Sequence, residues 1–167
     1  MNYNEVYQEI KAEFPGFDVV VKSASKFMWF LYYCGLMRFW CPTYMTNFTT
    51  VFGQTVYMPE YLIGSDSGAD VLRHERVHMR DSSKWTIWYW ITYVMLPIGP
   101  SGRAYWELRG YKETMRCYYE RYGNIPDSII EFVAGQFTTS KYLYMMPFPK
   151  LVNKWLNDIR SQIINGK

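Results

Sequence analysis

The stretch Leu72-Arg73-His74-Glu75-Arg76-Val77-His78 holds both histidines of the chain, and the spacing H-E-x-x-H governs how the residues around it are read. At 3.6 residues per turn, positions 74 and 78 share one helical face, so two imidazoles can grip one metal ion. Glu75 sits beside the first histidine and outside the pair, where a carboxylate can take a proton from a water at that ion. A site that holds metal for stability alone has no need of that carboxylate. The competing possibility is a structural helix with two solvated histidines. The flanks predict a helix over about Ser67 to Arg80, with Ser67 or Asp66 as N-cap, Asp70 in the first turn, and Leu72, Val77 and Met79 available for packing.

A catalytic zinc is normally held by three protein ligands plus water. No further histidine exists in the chain, so the third ligand is sought among the carboxylates. Glu107 is the best candidate. It lies in Tyr105-Trp106-Glu107-Leu108-Arg109-Gly110-Tyr111, early in a helix that can fold back across the motif helix. Gly110 fits a close helix approach, because a glycine inside a helix costs about 1 kcal/mol relative to alanine and needs such a reason. Tyr111 lies one turn beyond Glu107 on the same face. Glu113 and Asp81 are weaker candidates, the first pointing elsewhere on its helix and the second following His78 too closely. Asp70 and Asp81 are also spaced to accept the free ring N–H of a histidine; the helix dipole alone explains Asp70 equally well. Arg73, Arg76 and Arg80 read as solvated or paired charges.

Working outward, a helix is expected at about Asn4 to Phe14, an extended piece at Asp18 to Lys22 and an apolar helix at about Lys26 to Phe39. Asn47 to Phe52 and Gln54 to Met58 flank Gly53 and read as a β-hairpin that Pro59 ends. After the motif helix come an aromatic helix from Trp85 to Leu96 and a Pro/Gly turn from Pro97 to Gly102. Helices at about Arg103 to Tyr122, Pro126 to Phe137 and Phe148 to Ile164 complete the chain. The fold class expected is therefore α+β, mostly helical, with a small hairpin or sheet ahead of the motif helix and two central helices crossing at the metal. Thr55 to Met58 takes the place of a sheet edge to which an extended peptide can pair, or of an ordinary hairpin that only covers the helix.

The 167 residues fit one domain, with a metal-binding core at about 46–115 and C-terminal helices at about 126–164. A hydrophobic content of 49% excludes disorder, and 20% aromatics leaves a surplus to explain. The net charge of +3, with no basic run, gives no argument for nucleic acid. Cys34, Cys41 and Cys117 lack any C-x-x-C spacing, which points to reduced thiols. The first residues contain no apolar signal segment, so synthesis in a cytosol is expected. Trp85 to Gly102 carries no charge until Arg103, but its prolines and glycines leave an apolar run shorter than the roughly twenty residues of a span. A buried helix is the reading taken for Trp85 to Leu96 and for Phe27 to Met37, and the protein is expected in the soluble fraction. A helix dipping into one leaflet is the alternative, so peripheral membrane contact stays open. Oligomeric state is not indicated.

On these residues the chain resembles the gluzincins, zinc metallopeptidases whose ligands are the two histidines of H-E-x-x-H and a downstream glutamate. It is more specifically similar to small uncharacterised phage-encoded proteins in which a Thr-Thr-x-Gly-x-Thr-x-Tyr-x-Pro segment precedes the motif. Here that segment reads Thr49-Thr50-Val51-Phe52-Gly53-Gln54-Thr55-Val56-Tyr57-Met58-Pro59, with one extra residue before the glycine. The turn before Trp106-Glu107 and the pair Gly110-Tyr111 also match, so the similarity covers about residues 26–115. The resemblance implies a zincin-like domain with Zn(2+) on His74, His78 and Glu107, Glu75 as general base, and a peptide or protein substrate. Many gluzincins place an aspartate where this chain has Tyr111, and some use an extra histidine at the oxyanion. With neither present, Tyr111 is the first choice for that role and Tyr57 the second. A protein that keeps zinc for structure alone, associated with a virion or a membrane, is the alternative implied.

Overall fold

In a computed structural model of the protein, residues 2–34, 37–94, 102–139 and 144–166 are described. The chain divides into two compact units, Met1–Met79 and Arg80–Lys167, each with its own core.

The first unit opens with helix α1 (Tyr3–Glu13), which Asn2 and Glu5 start with a capping box: each side chain bonds the other residue's backbone N–H. Strand β1 (Asp18–Val21) follows, then a single 3-10 turn at Lys22–Ala24, helix α2 (Lys26–Cys34) and the short helices α3 (Met37–Trp40) and α4 (Tyr44–Asn47). The apolar run expected as one helix over Lys26 to Phe39 is thus described as α2 and α3. Asn47, expected in a strand, ends α4 instead.

Strands β2 (Thr50–Phe52) and β3 (Thr55–Met58) form the expected hairpin, and Gly53 supplies the positive φ of +63° at the first position of its two-residue turn. β1 then adds to the other side of β3, parallel, with Asp18 facing Thr55 and Val21 facing Met58. The sheet order is β1-β3-β2, which puts β3 in the middle. Thr55 to Met58 is therefore not a free edge: both of its sides are already paired, and a peptide cannot add there. Alternation along β3 buries Val56 and Met58 on the face that meets α1 through Val6 and Ile10.

Helix α5 (Asp66–Val94) carries the H-E-x-x-H motif. The expected motif helix and aromatic helix are continuous through Arg80 to Trp85, and the helix breaks only at Thr86, whose φ of +25° and ψ of −93° leave the helical region. A β-branched residue with positive φ is strained there. Residues 95–101, with most of the expected Pro/Gly turn, lie outside the described residues.

The second unit continues from α5 into α6 (Gly102–Tyr122), α7 (Asp127–Thr138) and α8 (Pro149–Ile164). α8 starts with proline at its first position, where the missing N–H costs nothing. The core is built from Met115 of α6, Val133 and Phe137 of α7, and Val152, Leu156 and Ile159 of α8. The architecture is thus mostly helical, with one small sheet ahead of the motif helix.

The aromatic helices depart from expectation. In α2 only Met28 is buried, while Phe27, Trp29, Phe30 and Tyr33 face solvent. After Arg80, α5 buries Asp81 and Tyr89 and exposes Trp85, Ile87, Trp88, Trp90 and Ile91. A helix apolar around its whole circumference has more such surface than one packing face can cover, and the remainder stays outside. Among the described residues no helix is long and apolar enough to cross a membrane.

Candidate metal centre

The start of α5 is set by a serine neither expected residue matches. Ser65 Oγ accepts from the Gly68 amide at 2.9 Å and donates to the Leu62 carbonyl at 2.7 Å, so Ser65 is the N-cap. Gly68 is required at this turn, because a Cβ there would lie 1.8 Å from the Leu62 carbonyl oxygen. From that anchor, Ala69, Leu72 and Met79 enter the core of the first unit with Val6 and Ile10 of α1 and Val56 and Met58 of β3. Arg76 reaches α1, its guanidinium 2.7 Å from Glu13 and 3.0 Å from Glu9. With the helix fixed in rotation by this core and these ion pairs, His74 and His78 are presented side by side.

His78 is buried and His74 half-buried. Their rings are 4.9 Å apart at 66°, and the two Nε2 atoms are 3.0 Å apart. Two ligand nitrogens on one tetrahedral zinc, each bonded at about 2.0–2.1 Å, stand roughly 3.3 Å apart, so the pair is close to ligating geometry. Glu75 is half-buried on the same turn, and its charge is felt by Lys22 of the same unit.

Glu107 is buried in the first half of α6. Its Oε1 accepts from the Tyr93 hydroxyl at 2.5 Å. Burial, and then the Glu107 carboxylate beside it, pushes the Tyr93 hydroxyl well above its ordinary value, so it stays a neutral donor. The end of α5 and the start of α6 are held together around this bond. Trp106 Nε1 donates to Thr92 Oγ1 at 2.8 Å, Tyr89 stacks on Tyr93 at 5.2 Å, and Trp106 packs against Tyr89 at 5.2 Å. No sequence signal sets Tyr93 apart from the other aromatics of its helix, and its part in the site emerges only from this geometry.

One ligand atom each from His74, His78 and Glu107 lie within 4.8 Å of one another. Two imidazoles and a carboxylate form a donor set that suits a borderline metal such as zinc, and the set leaves a fourth position for water.

The other candidates have neighbours of their own. Asp81 is buried and gives both carboxylate oxygens to Arg109, at 2.8 and 2.9 Å, so the arginine takes it where a histidine N–H was the expected partner. Glu113 pairs with Arg116 at 2.9 Å. Tyr111 is buried in the core of the second unit with its ring 5.6 Å from Phe137, and Gly110 beside it is buried as well. Tyr57 lies on β3, 6.2 Å from Phe27. Compared with family models, with curated proteins and with solved structures, the chain matches none.

Proposed function

We propose that the protein is a zinc-dependent hydrolase of zincin-like type, a metallopeptidase in which His74, His78 and Glu107 hold the metal and Glu75 is the general base. The observation that supports this reading is the clustering of those three ligand atoms within 4.8 Å, with Glu75 next to the first ligand and outside the set. Zinc held by His74, His78 and Glu107 would supply polarisation of a carbonyl and a more acidic water. Glu75 takes the proton from the attacking water and delivers it to the leaving amine. Tyr93 orients the Glu107 carboxylate through its short hydrogen bond, as outer partners of ligating carboxylates do. Tyr111, one turn beyond Glu107 on the same helix, is the residue we assign to the oxyanion. The substrate is a peptide or protein, and synthesis is in a cytosol.

The exposed aromatic faces favour a second reading, a virion- or membrane-associated structural protein that keeps its metal and turns nothing over. Elemental analysis beside cleavage of a mixed peptide library separates the two. Wild type is expected to hold one zinc per chain and to cut. Glu75→Gln keeps the zinc and loses about 10² to 10⁴ in rate, as removal of a general base does. Glu107→Ala loses metal and activity together. Wild type that holds zinc and cuts nothing supports the structural reading, and Glu75→Gln losing zinc while Glu107→Ala keeps it overturns the assignment of roles.

A further inference from the structure

All 15 acidic residues of the chain lie outside two stretches, Val19 to Pro59 and Ser82 to Trp106. Those two stretches contain six of the seven tryptophans. They also carry the exposed aromatic faces. In the first, Phe30 is 60% and Phe39 69% exposed, beside Trp29 and Tyr33, which stack at 5.7 Å. In the second, Ile87 is 69% and Trp88 67% exposed, beside Trp85 and Trp90. Basic groups sit on these same rings. The Arg38 guanidinium lies 4.9 Å from the Phe39 ring centre and 5.8 Å from that of Tyr33, and Lys84 Nζ lies 5.4 Å from the Trp85 ring centre. Lys26 is exposed at the start of α2.

We infer that each face docks on an anionic lipid surface, peripherally and without crossing the bilayer. Tryptophan and tyrosine partition to the headgroup level, where an apolar ring and a polar edge are both accommodated, and phenylalanine beside them buries its ring at the acyl boundary. Lysine and arginine beside them are drawn to anionic headgroups, each raising partitioning about fivefold. The absence of carboxylates decides between occupants. A second copy of the chain laid face to face would set Arg38 and Lys84 against basic groups, with no acidic residue in either stretch to pair them. An anionic bilayer offers phosphates and carboxylates across the whole face. The inference does not depend on the metal or on catalysis.

Flotation of the full chain with vesicles tests it, using phosphatidylcholine alone and phosphatidylcholine with about one third phosphatidylserine. Wild type is expected to float with the anionic vesicles, to stay behind with the neutral ones, and to bind less at high salt. Phe30→Ser with Phe39→Ser, Ile87→Ser with Trp88→Ser, and Arg38→Glu with Lys84→Glu each lower partitioning at least tenfold. Every one of these positions is exposed, so their melting temperatures stay near wild type. Phe132→Ser on α7, 58% exposed next to Glu131, leaves partitioning unchanged. Wild type that stays behind with anionic vesicles overturns the inference, as does flotation that the paired variants leave intact. Light scattering that shows a dimer split by the paired variants, with no lipid binding, assigns the faces to a second copy and overturns it too.

Discussion

Replacing Lys22 by methionine tests how the first unit is tied together and what a buried amine does to its stability. Lys22 is fully buried at the end of β1, and its Nζ donates to the carbonyls of Tyr44 and Phe48 at 2.8 Å each and to Thr50 Oγ1 at 2.9 Å. It also lies 3.4 Å from the Tyr44 ring centre. Burial lowers its pKa to about 7, against the opposing pull of Cys41 and Glu75. Two of its three acceptors are carbonyls and the third is the Thr50 hydroxyl, whose own proton goes to the Tyr44 hydroxyl, so the cradle can take both N–H groups of a neutral amine as well as the three of the ammonium. Between about 7 and 10.5 the unfolded chain binds a proton at this lysine that the folded chain does not, so stability rises with pH through that window and is lost as pH falls towards 7. At about 1.36 kcal/mol per pH unit the full rise is on the order of 5 kcal/mol. Lys22→Met removes this pH dependence and takes the Nζ donor away from the Tyr44 and Phe48 carbonyls, which costs about 2–6 kcal/mol at pH 9. Urea unfolding of both proteins at several values from pH 6 to pH 10 gives the difference, in which their other titrating groups largely cancel. The gap between wild type and variant is expected to widen steadily above pH 7. Two stability curves that run parallel in pH refute the reasoning.

Tyr93→Phe removes the donor on Glu107 and is expected to weaken metal binding about 10- to 100-fold in a chelator competition, with helicity unchanged by circular dichroism. Tyr111→Phe keeps the ring against Phe137 and should lower peptide turnover about 10²- to 10³-fold at nearly wild-type stability, whereas an unchanged rate leaves Tyr111 a core residue only. Gly68→Ala drives a methyl group into the Leu62 carbonyl and should cost about 1–3 kcal/mol in denaturant unfolding. Arg109→Ala leaves the buried Asp81 carboxylate without its two-pronged partner, for a loss of about 1–3 kcal/mol that lysine does not fully restore.

Local signals explain what could be read in advance. The caps, prolines and helical spacing give α1, α6, α7 and α8 to within a few residues, and Gly53 between two runs rich in Thr, Val and Phe gives the hairpin. The parallel pairing of β1 to β3 has no local signature, since Asp18 to Val21 reads the same whether it pairs or stands alone. Apolar composition misleads for α2 and the end of α5, because it records how much surface is hydrophobic and not how much of it finds a neighbour. At the candidate site the two histidines follow from spacing alone. Glu107 follows from the lack of a third histidine and its place after a turn. Asp81 is also spaced to serve a histidine, and only the position of Arg109, a helix away in sequence, shows where its carboxylate goes.

The central place of β3 has a consequence for the order in which the first unit assembles. The hairpin closes through a two-residue turn, an event of microseconds, but the β1 ladder joins Asp18 to Thr55 with all of α2, α3, α4 and β2 looped out between them. Closing that loop is an entropic toll set against a four-residue ladder, so β1 docks late and slowly compared with the turn beside it. The motif helix packs on Val56 and Met58 of β3 and on α1, which precedes β1 in the chain. A nascent chain therefore gains its histidine pair early but a rigid seat for it only once this long-range ladder has closed, and metal supplied during refolding should be captured with the kinetics of strand docking, lagging behind helix formation.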